Sequence, residues 1–420
     1  MIDAAARLIT RYSHVNWALA DQAMVSGVNF LAAILLARYL GIEEFGVFSL
    51  AWLVVGMVSG MQQSVVSMLM MSIGPKQEDT KLPSYYAAVF MQQAVFASVT
   101  SIFVLGGAIA TSIVYPDWEI GPLVLPLAAA TFAYQTQDFV RRYFFACGRM
   151  LAALGIDAVS YLGQLAALSW LFVVESLSPA SALWAIAATA AAAVLIGMLH
   201  LGPLDWGRAD FSAVLKRHWR MARWLGITTL IGMTTRMLFP ATAGALLGPA
   251  AVGALKAAQN LMGIAQVLFF ALENVVPRRA AQHYHQSGIF ALIRYLVRVA
   301  SFGGAMTLCV TVFFALAPEF WLRLIFGEEF ASYGNLVRWY AAIYLVSFAR
   351  IPLGAGFRAL EETRPMFLAT CVQACIAIAV AYPLISALGV TGVVIGMLIA
   401  AAVGKVLLIN SFIRLARHTT

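Results

Sequence analysis

The sequence predicts an all-α integral membrane protein with twelve transmembrane helices in two bundles of six and both termini in the cytoplasm. Three observations predict it: an extreme apolar composition, a series of span-length apolar runs, and basic residues that recur in every second loop. The chain is 62% hydrophobic and 11% charged, with a mean hydropathy of +0.85. Average soluble domains carry roughly 25% charged residues, so this much apolar surface needs lipid as its solvent. The runs are continuous rather than alternating, which disfavours a β-barrel.

A membrane helix needs about 20 apolar residues. Runs of that size are expected at 18–38, 45–71, 85–113, 121–147, 151–174 and 180–201, then at 220–247, 251–276, 290–317, 335–358, 365–387 and 390–413. The longest hydrophilic connection, Gly202 to His218, falls near the midpoint. The expected organisation is therefore a first bundle over 1–203, a cytoplasmic linker over 204–218 and a second bundle over 219–420. The lead before the first run is short, basic and amphipathic, and an uncleaved first span is expected to follow it.

Positive residues collect in cytoplasmic loops. Arg7 and Arg11 precede the first run, and Lys76 and Lys81 occupy the second loop. Arg141, Arg142 and Arg149 mark the fourth, and Arg208, Lys216, Arg217, Arg220 and Arg223 the linker region. Arg278, Arg279, Arg294 and Arg298 flank the eighth loop, Arg350, Arg358 and Arg364 the tenth, and Arg414 and Arg417 the C-terminus. Only Arg38 and Arg323 fall in the odd loops. A wrong span count would scramble this alternation. The net charge of +8 is then an inside bias facing anionic headgroups and needs no nucleic-acid partner.

The chain also repeats. ARYLGIEEFGVFSL (Ala37 to Leu50) is a charged hinge between two apolar runs, and LGPAAVGALK (Leu247 to Lys256) resembles it half a chain later. Gly41 and Gly46 in the first match Gly248 and Gly253 in the second. Transporters built from two such repeats place substrate at the repeat interface. No Walker loop, dinucleotide turn, nucleophile elbow or metal-ligand spacing is present. No catalytic residue, metal or cofactor is expected, and the reading is a transporter, not an enzyme. Cys147, Cys309, Cys371 and Cys375 are expected to be packing residues.

Four stretches carry a family resemblance: Asn16 to Leu50, TQDFVRRYFFACGRM (Thr136 to Met150), LGPAAVGALKAAQNL (Leu247 to Leu261) and LIFGEEFASYGNLVRWYA (Leu324 to Ala341). Together they resemble the polysaccharide-transporter (Wzx-type) branch of the multidrug/oligosaccharidyl-lipid/polysaccharide (MOP) exporter superfamily. The resemblance implies a V-shaped, MATE-like monomer in the bacterial inner membrane. It implies a flippase for undecaprenyl-diphosphate-linked oligosaccharide repeat units, working with glycosyltransferases and a polysaccharide polymerase in surface polysaccharide (O-antigen, capsule or exopolysaccharide) synthesis. Two alternatives stand beside it. A drug:cation antiporter would want a compact acidic pocket, whereas the deepest charges here are basic. A glycan polymerase or ligase would want a large outer loop, whereas the longest here is Pro318 to Gly334.

Ionisable residues inside spans usually face a cavity or a partner. Arg236, Lys256 and Arg350, with Arg38 at the outer rim and Asn260 one turn from Lys256, are expected to form a cationic cavity between the bundles that holds the diphosphate. Asp21, Asp138 and Asp157 group in the inner half of the first bundle, as a candidate ion-coupling or gating site. Asp138 precedes Arg141 and Arg142 by three and four residues and can pair with both. Glu273 is expected to pair with Arg278 or Arg279. The many span glutamines, among them Gln62, Gln93, Gln135 and Gln137, either line a sugar path or join helices. Tyr134, Trp170, Trp184, Trp321 and Trp339 are expected in interfacial belts.

Overall fold

The computed structural model describes residues 13–114, 120–362 and 364–418. Arg7 and Arg11 lie outside the described residues. The chain runs as α1 (Ser13–Gln62), α2 (Met68–Ile73), α3 (Leu82–Val114), α4 (Val124–Ala146), α5 (Met150–Asp157), α6 (Gly163–Val173) and α7 (Pro179–Leu199). It continues as α8 (Phe211–Leu247), α9 (Pro249–Leu316), α10 (Pro318–Ile325), α11 (Gly334–Phe348), α12 (Arg350–Ala359), α13 (Arg364–Leu388) and α14 (Val390–His418). No strand occurs among the described residues. Nine helices there are long and apolar enough to cross a membrane. Two of these, over 21–76 and 275–316, are broken by left-handed glycines at Gly41 and Gly288. α4 is not among the nine, because its C-terminal half carries Gln135, Gln137, Asp138, Arg141 and Arg142.

Local chemistry explains the ends. Ser178 accepts from the Ser181 backbone N–H while the Ser181 hydroxyl accepts from the Ser178 N–H, a capping box that starts α7 ahead of Pro179. Gly148, at φ 71°, turns the chain between α4 and α5. π-helical turns over Gln63–Ser67 and Ala158–Leu162 interrupt the α-helical register, and such turns are frequent at functional sites.

The chain forms two compact units. The first holds the described part of Met1–Leu40 with Ala51–Leu230, and the second holds Gly41–Leu50 with Ile231 onward. In the first, α4 packs on α3 and α7 around Tyr86, Phe90, Phe139, Tyr143 and Phe144. In the second, α9 packs on α11 and α12, and α13 packs on α14. Polarity is inverted relative to a soluble protein. Gln62, Gln137 and Asp157 are fully buried, while Phe103 is 76% and Leu316 77% exposed. Only a hydrocarbon solvent makes that arrangement favourable.

The sequence repeat has a backbone counterpart. Gly41 (φ 77°, ψ 176°) and Gly248 (φ 85°, ψ 174°) adopt the same left-handed break, each opening a helix. Five residues on, a Cβ at Gly46 would lie 1.8 Å from the Pro249 carbonyl oxygen, and one at Gly253 would lie 2.2 Å from the Ile42 carbonyl oxygen. Ile42 and Pro249 each follow a hinge glycine, so the two contacts mirror each other. The stretches clasp backbone to backbone within the second unit, with glycine required on both sides. Glu329 fastens the clasp: its Oε2 accepts the Ile42 N–H at 3.0 Å and caps the arm that Gly41 opens.

Candidate functional site

Two charged clusters stand out, one in each unit. The first is built on α4, whose turns place Tyr134, Gln137, Asp138 and Arg141 on neighbouring positions of one face. Arg141 Nη2 donates to Asp21 Oδ2 on α1 at 2.5 Å, and its Nε lies 2.6 Å from Asp157 Oδ2 at the end of α5. A third carboxylate, Asp138 Oδ1, lies 3.9 Å from Arg141 Nη1. Arg142 Nε donates to Asp138 Oδ2 at 2.7 Å, and Gln137 Nε2 donates to Asp157 Oδ1 at 2.6 Å. The cluster is deeply buried: Asp21 is 1% and Asp157 0% exposed. The π turn after Asp157 carries Tyr161, whose hydroxyl lies 3.4 Å from that of Tyr134.

The structure thus brings together the three acids that the sequence grouped, and it adds their organiser. Arg141 was legible only as a helical neighbour of Asp138. Its ties to Asp21 and Asp157 span separate helices and leave no local spacing signal. Three carboxylates face two guanidinium groups, so with all of them ionised the formal count is one negative charge in excess. Asp21 Oδ1 and Gln137 Oε1 are buried without a hydrogen-bond partner. Such a site can take up one monovalent cation or proton and release it again.

The second cluster is cationic. Arg236 is an exposed residue of α8, and Arg350 opens α12. Arg350 Nη2 donates to Glu273 Oε1 on α9 at 2.5 Å. The expected pairing of Glu273 with Arg278 or Arg279 is therefore corrected, because the carboxylate is taken by an arginine from another helix. The Arg350 charge acts electrostatically on both Arg236 and Lys405. Lys405, in α14, is legible in the sequence as a basic residue within a span, but not as a neighbour of Arg350. It is only 9% exposed, and no carboxylate lies within 4 Å of it among the described residues. Three cations against one acid leave this region positive.

No ion pair joins Lys256 to this group among the described residues. Lys256 is half-buried on α9, with Nζ 3.5 Å from Gln259 Oε1. Asn260, one turn on, keeps its Nδ2 buried without a partner. Arg38 is exposed in the first unit.

Several glutamines join helices. Gln62 Nε2 donates to Ser67 Oγ at 2.8 Å and to Gln93 Oε1 at 2.9 Å, and Gln135 Nε2 donates to Thr100 Oγ1 at 3.1 Å. These bonds tie α1, α3 and α4. Tyr134 is not a belt residue: it is half-buried, meets Tyr161 and packs edge-on against Trp52 at 5.1 Å. Trp170 and Trp184 remain exposed.

No family model matches the chain, and no curated protein matches it by sequence. Solved structures match its fold. An inward-facing multidrug resistance MATE family transporter of the MOP superfamily matches with a TM-score of 0.77 at 15% identity, over 95% of this chain and 96% of that one. The lipid II flippase MurJ, in an inward closed conformation, matches with a TM-score of 0.70 at 11% identity, over 96% of this chain and 90% of that one. A eukaryotic MATE transporter gives a TM-score of 0.61 at 16% identity, over 97% and 98%. The fold is shared with MATE and MurJ transporters of the MOP superfamily, which are multi-pass membrane proteins.

Proposed function

We propose that the chain is a flippase that moves undecaprenyl-diphosphate-linked oligosaccharide across the bacterial inner membrane by alternating access. The observation that carries this reading is the group of Arg236, Arg350 and Lys405, whose charges act on one another, with Glu273 the one carboxylate ion-paired to it among the described residues. Cations inside a bilayer are costly unless something anionic meets them. A diphosphate supplies several strong acceptor oxygens, and guanidinium groups can bind them two at a time. Glu273 holds Arg350 until the diphosphate competes for it. Lys256 and Asn260 are further polar groups of the same unit, Arg38 is a separate basic residue of the first unit, and the prenyl tail stays in lipid. Glycosyltransferases supply the substrate, a polymerase consumes it, and the chain acts as a monomer with both termini cytoplasmic.

Asp21, Asp138 and Asp157 serve as the coupling or gating site in this reading. Their surplus negative charge takes one cation per cycle, and Arg141 holds the carboxylates together when that cation leaves. A drug:cation antiporter on the same scaffold is the second reading, favoured by the fold shared with MATE transporters. Against it, the buried carboxylates are engaged by Arg141 and Arg142 rather than open to a cationic drug.

The test is flipping of a fluorescent prenyl-diphosphate glycan in proteoliposomes. Arg236→Ala and Arg350→Gln should each lower the rate at least about tenfold, the loss of one charge-assisted contact at ~1.4 kcal/mol. Wild-type rates in both variants would remove the cationic cluster from the mechanism.

A further inference from the structure

The sequence from Asn274 to Pro318 contains no Asp or Glu, yet it carries Arg278, Arg279, Arg294, Arg298, His283 and His285. The one acid just before it, Glu273, is engaged by Arg350. Arg278 and Arg279 are exposed, and neither pairs with a carboxylate among the described residues. Glu361 and Glu362, which follow α12 where it packs on α9, do not reach them either.

These two arginines are not simply scattered charge. Val276 and Ala280 pack inward, so Val275, Arg278, Arg279 and Gln282 form the opposite face of the helix. They line an open recess of about 350 Å³. Beyond it, the Gly288 break (φ 72°, ψ −165°) turns the chain. The second arm then brings Tyr295 within electrostatic reach of Arg279, and the Tyr295 ring packs on His283 at 4.7 Å between centroids. Large apolar side chains flank the recess in sequence without being covered: Val275 is 47%, Phe290 70% and Val297 58% exposed. Paired guanidinium groups beside uncovered apolar side chains suit a phosphodiester headgroup with its acyl chains alongside. The charge pattern also assigns this loop to the cytoplasmic face, where anionic lipids attract basic segments.

We propose that Arg278 and Arg279 form a discrete binding site for one anionic phospholipid, the headgroup phosphate seated between the two guanidinium groups. This differs from the diffuse inside bias in requiring these two arginines and not the others of the loop. It does not depend on which substrate the protein carries.

The full-length protein, purified in mild detergent with phosphatidylcholine and phosphatidylglycerol, would be examined by native mass spectrometry. The wild type should retain one phosphatidylglycerol per chain more tightly than any phosphatidylcholine. Arg278→Gln/Arg279→Gln should weaken that retention about 30-fold, the surface attraction of two arginines at roughly a kcal/mol each. Each single substitution should give an intermediate loss, and Arg294→Gln/Arg298→Gln should leave retention intact. Millimolar inorganic phosphate should fail to displace the lipid; full displacement would show a site for free phosphate instead and overturn the assignment. Equal retention by the Arg278/Arg279 variant, or equal loss in the Arg294/Arg298 variant, would also overturn it.

Discussion

Replacing Arg141 by Gln should destabilise the first unit more than any other single charge change in it. The side chain is 12% exposed and meets Asp21 at 2.5 Å and Asp157 at 2.6 Å, with Asp138 at 3.9 Å. Removing it leaves Asp21 and Asp157 buried with no cation paired to them among the described residues, while Arg142 still holds Asp138. Breaking a buried pair by deleting one partner typically costs ~3–5 kcal/mol, because the other charge stays desolvated. For a unit of this size, each kcal/mol lowers the melting temperature by about 2–4 °C. The expected loss is therefore about 6–20 °C. Cys147, a free cysteine packed against the first unit's core, permits a thiol-reactive dye assay of that unit's unfolding in detergent once the exposed Cys309 and Cys375 are replaced by Ser. Adding Asp21→Asn and Asp157→Asn to Arg141→Gln should recover most of the loss, since the uncompensated charges then vanish. A shift below about 1 kcal/mol in the single variant, or no recovery in the triple, would refute the reasoning that Arg141 is the organising counter-ion.

Other consequences can be checked by thermal unfolding in detergent. Lys405→Met should raise stability by about 1–3 kcal/mol, because it removes a buried cation that no carboxylate meets, while flipping falls; a variant both less stable and fully active would contradict this. Gly253→Val should lower stability by about 1–3 kcal/mol or more, since its Cβ would lie 2.2 Å from the Ile42 carbonyl oxygen. Glu329→Ala should cost about 1 kcal/mol by uncapping Ile42. His218 lies outside the membrane-spanning segments, with Nε2 3.1 Å from the Tyr85 hydroxyl. Burial, aided by the Arg217 charge, pushes its pKa down to about 4 from 6.5. Its neutral form is favoured in the folded state, so its contribution is full above pH 6.5 and is lost as pH falls towards 4, by at most about 3 kcal/mol. The wild type should therefore lose more stability across that window than His218→Gln, and equal slopes would sink the assignment.

Much of the fold was legible because the bilayer imposes few choices. Every backbone group must be satisfied within the segment, so long apolar runs become helices, and composition alone sets the class. The hinge repeat was also readable, since Gly41 and Gly248 are glycines for one shared reason, a left-handed break before a helix. What Gly46 and Gly253 do was not readable, because close backbone approach leaves no mark beyond the absence of a side chain. The site was half legible. Asp138 and Arg142 pair within one helix, which local spacing foretells. Asp21, Asp157 and Arg141 meet from three helices, and Glu273 crosses to Arg350 instead of its helical neighbours. Long-range choices of that kind depend on packing, and Lys405 gains meaning only from what surrounds it.

The central claim is export of a lipid-linked glycan, and the most direct measurement is the leaflet position of that lipid in cells lacking the gene. The account predicts that single repeat units on undecaprenyl diphosphate accumulate on the inner leaflet and surface polymer disappears. Wild type should restore export, and Arg236→Ala, expressed at equal level, should not. Normal surface polymer in the deletion strain, with altered resistance to small cations, would contradict the account and place the chain with drug antiporters.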